Sequence, residues 1–266
     1  MNDYCNNDLT FVICAYKESR YLEECIKSLK NQTINVNVIA VTSTPNQHIA
    51  DLCNKYSITL YINTGEKGIA GDWNFGYSMA KTKLVTIAHQ DDVYRSEYAE
   101  TVIANINLCK KTLIAFSDYG ELRDGIVIEN NKLLSVKRKL LIPLRIRRFQ
   151  SSKFIRRRAL SLGNPICCPA VTYVKQNLPN KIFESYFLSN VDWQTWENIS
   201  KMEGAFVYVP RVLMYHRIHE NSTTTAIIAD NDRSKEDYEM LCKFWPKWIA
   251  RIIEHFYKQG EKSNEI

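Results

Sequence analysis

The chain has 266 residues, 45% of them hydrophobic and 24% charged, and a net charge of +6. That balance excludes a disordered chain and allows a sizeable core, in one large domain or two small ones. Eight scattered cysteines show no CxxC or zinc-ligand spacing, and no run of about 18 apolar residues is present to cross a bilayer.

The first half alternates strand-like and helix-like patterns. LTFVICAY (9–16) reads as a buried strand. RYLEECIKSLKNQ (20–32) places Leu22, Cys25, Ile26 and Leu29 on one helical face. VNVIAVTST (36–44) is a second strand, and Pro45 opens a short helix over 46–56. A third strand (58–63), a helix opened by glycines (68–82), a fourth strand (84–88), a helix (96–111) and a fifth strand (112–119) follow. This rhythm predicts a mostly parallel sheet with helices on both faces, and a ligand crevice beyond the carboxyl ends of the strands. Tyr16, Thr42, Asn63 and Asp91 fall at those ends.

After residue 119 the rhythm stops. Asp124-Gly125 predicts a tight hairpin turn. A strand is expected at 168–175, a helix at 191–203, strands at 205–210 and 212–219, and a helical tail over 232–259 broken at Pro246. Residues 1–118 are expected to form one half and residues 119–266 a second half packed onto the same sheet. The opening MNDYCNNDLTFVICAY has no basic stretch leading into a long apolar one. No secretory leader is therefore expected, and a reducing cytoplasm is the simplest setting.

The stretch LVTIAHQDDVY (84–94) ends its apolar run in His89, Gln90, Asp91 and Asp92. On these residues alone two readings stand: a turn leading into the next helix, or a carboxylate site for a hard divalent cation such as Mg2+ or Mn2+. Asp192, ahead of WQTWENI, is likewise either a helix cap or a general base. Trp193 and Trp196 read as core.

Three segments together resemble the family 2 glycosyltransferases: FVICAYKESRYLEECIKSLKNQT, GIAGDWNFGYSMAKTKLVTIAHQDDVY and DWQTWENISKMEGAFVYVPRVLMYHRIHENSTT. The resemblance implies an α/β fold of the GT-A type. It has a mostly parallel sheet flanked by helices, with a smaller C-terminal acceptor-side α+β region. It implies a metal-dependent, inverting transfer of a sugar from a nucleotide-sugar, with UDP favoured, to a growing lipid-linked saccharide of the capsule or O-antigen kind. By position, Asp91 matches the family's metal-binding Asp, and His219 and Arg217 fall in the closing segment, as a metal and a diphosphate contact. Tyr16, Thr42, Asn74 and Asp92 fall at nucleotide-binding positions, and Asp192 at that of the catalytic base. The sequence departs from the family in three places. His89 stands where the first Asp of the DxD motif is usual, TSTPN lacks the acidic residues common after the second strand, and Trp73 replaces a basic residue. Asn221, Ser222 and Thr223 to Thr225 suggest a closing lid.

Residues 130–183 hold thirteen Lys and Arg and no Asp or Glu, so the rest of the chain is acidic. Within 137–160 the cations interleave with Leu, Ile and Phe, a pattern suited to an anionic membrane surface. The tail adds Trp245, Trp248 and Ile252 on one side. No nucleic-acid motif accompanies the patch. Two other functions are open. A nucleotidyltransferase would show a glycine-rich loop after the first strand, where AYKESR has none. A basic peripheral-membrane protein with a decayed transferase domain would need no intact metal site.

Overall fold

The computed structural model describes residues 3–219 and 232–262, so the expected lid at residues 221–225 lies outside the described residues. The elements, in chain order, are β1 (Leu9–Cys14), α1 (Leu22–Lys30), β2 (Asn37–Thr42), α2 (Gln47–Lys55), β3 (Thr59–Ile62), α3 (Ile69–Met79), β4 (Leu84–His89), β5 (Val93–Tyr94), α4 (Tyr98–Asn107), β6 (Thr112–Arg123), β7 (Ile126–Ile128), α5 (Lys132–Leu141), α6 (Arg147–Gln150), α7 (Lys153–Ala159), β8 (Val171–Val174), α8 (Val191–Ser200), β9 (Ala205–Ile218), α9 (Asp232–Cys242) and α10 (Lys247–Lys262).

The strands form one sheet in the order β3-β2-β1-β4-β8-β6-β9-β5, with β7 paired to β6. Strands β3, β2, β1 and β4 are parallel, as the helix-strand alternation requires. β8 runs antiparallel between β4 and β6, and β9 runs parallel to β6. The sheet is buried on both faces. Phe11 and Ile13 of β1 point into a core with α1 and α4, where Leu22, Cys25, Ile26 and Leu29 supply the apolar stripe of α1. Val12 points the other way, to Tyr77 of α3 and Trp193 and Trp196 of α8, both of which are core residues as expected. On that face α3 approaches the sheet through Gly76. A Cβ there would stand 2.6 Å from Val12 Cγ1 and 3.2 Å from Val41 Cγ2.

The tight turn at Asp124-Gly125 forms, with φ of 48° and 80° at the two residues, the geometry of a two-residue hairpin. The strands expected at 205–210 and 212–219 are one bent strand, β9. Its register with β6 jumps from Ser117↔Val209 to Asp118↔Val212, so Pro210 and Arg211 bulge out. A proline has no N–H to give the ladder, and a bulge is where a strand tolerates it. The bend carries the end of β9 over β4, and β5 pairs with it there. The basic stretch folds into the short helices α5, α6 and α7. Among the described residues no helix is long and apolar enough to cross a membrane.

Candidate active site

Cys14 and His89, the last residues of β1 and β4, are register partners. Beyond them the chain turns through His89-Gln90-Asp91-Asp92. The Gln90 carboxamide ties this turn to the end of β1: it accepts from Tyr16 N at 3.0 Å and donates to Tyr16 O at 2.9 Å. The end of β9 lies across the turn, so residues more than 120 positions apart meet.

The two carboxylates sit in different surroundings. Asp92 is fully buried. Its Oδ1 lies 2.9 Å from His216 Nδ1 and accepts from Arg217 N at 2.9 Å, while His89 Nδ1 stands 3.7 Å from Oδ2. Burial opposes charge on both partners. It would raise Asp92 and lower His216, yet the mutual attraction and hydrogen bond prevail: Asp92 is held below its ordinary value and His216 is lifted to about 9. His89, Asp92 and His216 offer three ligand atoms within 4.8 Å of one another. The His216–Asp92 contact anchors the turn to β9, while Asp92 Oδ2 and His89 Nε2 lie buried without a hydrogen-bond partner among the described residues.

Asp91 faces the other way. Its Oδ2 is 3.0 Å from His219 Nε2, and its backbone carbonyl accepts from Arg217 Nε at 2.8 Å. The Arg217 guanidinium lies 4.2 Å from the Tyr21 ring centre and pairs with Glu24, and the His219 ring stands 4.9 Å from Tyr21. Arg217 is thus a buried brace under Asp91. The carboxylate and imidazole of the Asp91–His219 pair suit Mn2+ or another borderline divalent cation, which accepts one nitrogen among oxygens.

His89 fills the place of an acidic residue with a ring. It stacks on Trp73 at 5.2 Å and 18°, and Trp73 meets Phe183 edge-on. Burial lowers the His89 pKa, against the pull of Asp92 and Asp91, which keeps it neutral. The charge of Asp192 is also felt there. Asp192 lies in the first turn of α8, where the helix dipole favours a carboxylate. It is not the cap, a position held by Asn190. Its Oδ2 accepts from Asn164 Nδ2 at 2.7 Å.

Of the residues expected to bind nucleotide, Tyr16 is half-exposed at the mouth of the crevice. Thr42 is fully buried, and its hydroxyl accepts from Thr44 N at 3.0 Å. Asn74 clasps the loop at 182–183, accepting from Ile182 N and Phe183 N and donating to Phe183 O at 2.7 Å. The Thr42 and Asn74 side chains are engaged with their own protein. Asp72, which the sequence did not single out, is the acidic group at the ends of β2 and β3. It accepts from Ser43 Oγ and Asn63 Nδ2, both at 2.7 Å. A carboxylate thus reaches the ends of β2 and β3 from the first turn of α3. The signal available in the sequence was a lone Asp directly after the glycine loop.

Comparison with known proteins follows the same lines. The chain shares 24% identity over 104 residues with the glycosyltransferase GlyG of Streptococcus pneumoniae serotype 4, covering 37% of this chain and 35% of that one. It shares 24% over 106 residues with GlyA of the same organism, covering 38% of this chain and 15% of that one. The chain therefore matches about a third or less of the length of these relatives. Among solved structures, Staphylococcus aureus TarS 1–349 in complex with UDP-GlcNAc superposes with a TM-score of 0.63 at 14% identity, over 93% of this chain and 70% of that one. The mannosyltransferase PcManGT of Pyrobaculum calidifontis, in complex with GDP-Man and Mn2+, gives 0.58 at 13%, over 90% and 64%. These likenesses show the fold, which is of the GT-A type. The model for "Glycosyl transferase family 2" matches residues 10–178, well over half of the chain, and the protein belongs to that family.

Proposed function

We propose that the protein is a metal-dependent, inverting glycosyltransferase. Its donor is a nucleotide-sugar, with a UDP-sugar favoured, and its acceptor a growing, lipid-linked saccharide of the capsule or O-antigen kind. The observation that carries this reading is the Asp91–His219 pair, 3.0 Å apart at the carboxyl end of β4 and braced by Arg217. Residues 1–118 would hold the donor and residues 119–266 the acceptor.

A divalent cation, Mn2+ or Mg2+, held by Asp91 and His219 would supply Lewis-acid charge to the departing diphosphate. Asp92 and His216 keep the turn closed so that Asp91 is presented to the crevice. Tyr16 offers its ring to the base, and Asp72, with Ser43 and Asn63, offers acceptors and donors to the ribose. Asp192 takes the proton of the acceptor hydroxyl as it attacks. Asn164, donating to Oδ2, orients that carboxylate at the start of α8. A single base opposite the leaving group gives one displacement and inversion at the anomeric carbon.

A membrane-bound acceptor is supported by the surface next to α8. Trp248 (66% exposed), Ile252 and Phe256 project from α10, and Phe154 from α7, interleaved with Arg157, Arg158, Lys247 and Arg251. Trp245, in the turn just before α10, donates through Nε1 to Ser161 O at 2.7 Å, and Trp193 Nε1 of α8 donates to Leu160 O at 3.1 Å, so the turn into α10, the end of α7 and the helix bearing Asp192 are tied together. This face suits the headgroup region of an anionic bilayer, with the protein at its cytoplasmic side.

The test is calorimetric titration with UDP, dTDP and GDP, with and without Mn2+, of wild type and Asp91→Ala. Manganese-dependent binding of one nucleotide, lost in the variant, supports the reading. A folded protein that binds none of them overturns it in favour of the peripheral-membrane alternative.

A further inference from the structure

At the rim of the sheet opposite Asp91 lies a cavity of about 740 Å³. β6 runs in the same direction as β4, since β8 is antiparallel to both, and β9 is parallel to β6. The cavity opens where the chain enters β6 and β9, at their amino ends. Its walls come from three segments distant in sequence: 105–111, 145–151 and 203–210. They bring Lys110, Lys111, Arg145, Arg147 and Arg148 around one space. The single carboxylate in the lining, Glu203, is paired with Lys153 outside it.

The wall behind these cations is fixed. Gln150 is buried and donates to Leu144 O at 2.9 Å. Tyr208 is buried and donates to Asp118 Oδ1 at 2.6 Å. Asp118 behind the wall offsets part of this charge at Arg145, and Glu203 part of it at Lys111, but the lining as a whole keeps an excess of positive charge that an anion would relieve. The volume lies in the range of small-molecule sites, and three arginines favour the planar, two-pronged recognition that phosphate oxygens accept.

We infer that this basic cavity is a second binding site, separate from the sugar-transfer crevice, for a ligand carrying two or more phosphate groups. That chemistry is shared by a free oligophosphate and by a phosphorylated lipid headgroup. The inference does not depend on the proposed activity, because the two sites lie at opposite ends of the sheet.

The test is calorimetric titration of the whole chain with inorganic tripolyphosphate in the absence of metal, for wild type, Asp91→Ala and the double variant Arg147→Glu/Arg148→Glu. Both arginines are exposed, so the double variant should fold as wild type does. Binding should be equal in wild type and Asp91→Ala, and weaker by about tenfold or more in the double variant. No binding to wild type, or binding that Asp91→Ala removes and the double variant keeps, overturns the inference. A second arm uses cardiolipin vesicles, whose headgroup carries two phosphates. Vesicle binding that tripolyphosphate displaces from wild type but not from the double variant supports a headgroup ligand. Tripolyphosphate binding with no effect on vesicle binding supports a free one.

Discussion

Arg156 offers the most direct test of how the basic segment is built. It belongs to α7, in the middle of the run of cations, yet it is fully buried. Its Nε donates to Ser200 O at 2.7 Å, and its guanidinium reaches Gly204 O and Met202 O and lies over the Phe206 ring. These carbonyls belong to the end of α8 and the loop that follows, groups that a helix leaves without internal partners. Burial lowers the Arg156 pKa to about 10, so the group remains charged at neutral pH. Arg156→Met keeps length and apolar bulk but removes every donor. Each charge-assisted bond contributes about 1.5–3 kcal/mol, and the recovered desolvation of the cation offsets part of the loss. The net destabilisation should be about 3–5 kcal/mol, as for other broken buried charge networks. At about 2–4 °C per kcal/mol in a chain of this size, Tm should fall by roughly 6–20 °C. Urea denaturation followed by circular dichroism measures it, with exposed Arg148→Met as the control, expected within about 0.5 kcal/mol of wild type. A loss below about 1 kcal/mol for Arg156→Met would refute the capping role.

Asp192→Asn should lower kcat by about 10²–10⁴-fold with the donor KM little changed, as measured by steady-state transfer kinetics. An unchanged kcat would remove Asp192 as the base. Gly76→Ala forces a methyl group into Val12 and Val41, and should destabilise the fold by about 1–3 kcal/mol in the same denaturation assay. Trp248→Ala/Ile252→Ala should reduce co-sedimentation with anionic vesicles while leaving nucleotide affinity intact; undiminished vesicle binding would clear α10 of that role. The Asp8 carboxyl accepts from Cys5 N at 3.0 Å and pairs with Lys83 at 2.9 Å, which together hold it below the usual carboxylate value. Its stabilising effect should therefore be complete above the unfolded value near ~4 and disappear as pH falls through the folded value, so Asp8→Asn and wild type should converge in acid thermal melts.

The local parts of the fold were readable because local chemistry determines them. The apolar stripe of α1, the positive-φ pair at Asp124-Gly125 and the break at Pro246 each act within a few residues. The position of β8 was not readable. VTYV fits any buried strand, and only the packing of the whole sheet places it antiparallel between β4 and β6. Residues 137–160 read as an undivided surface stretch because charge and apolar residues alternate there, and nothing local marks Arg156 as the one turned inward. In the site, the meeting of Asp91 with His219 came from resemblance, since spacing alone does not join residues 128 apart. Asp72 went unread because its role depends on Ser43 and Asn63, which two other strand ends bring to it.

The central position of β8 has a consequence during synthesis. When the nascent chain has passed residue 118, β4 and β6 each have an edge that no finished strand can cover, and such edges invite pairing with other chains. At about 5–20 residues per second, the roughly one hundred residues that still have to emerge before β8 and β9 are both complete take about 5–20 s. The crevice at the end of β4 therefore cannot assemble ahead of the rest, and a ribosome stalled in that interval would expose open strand edges, a target for chaperones and proteases.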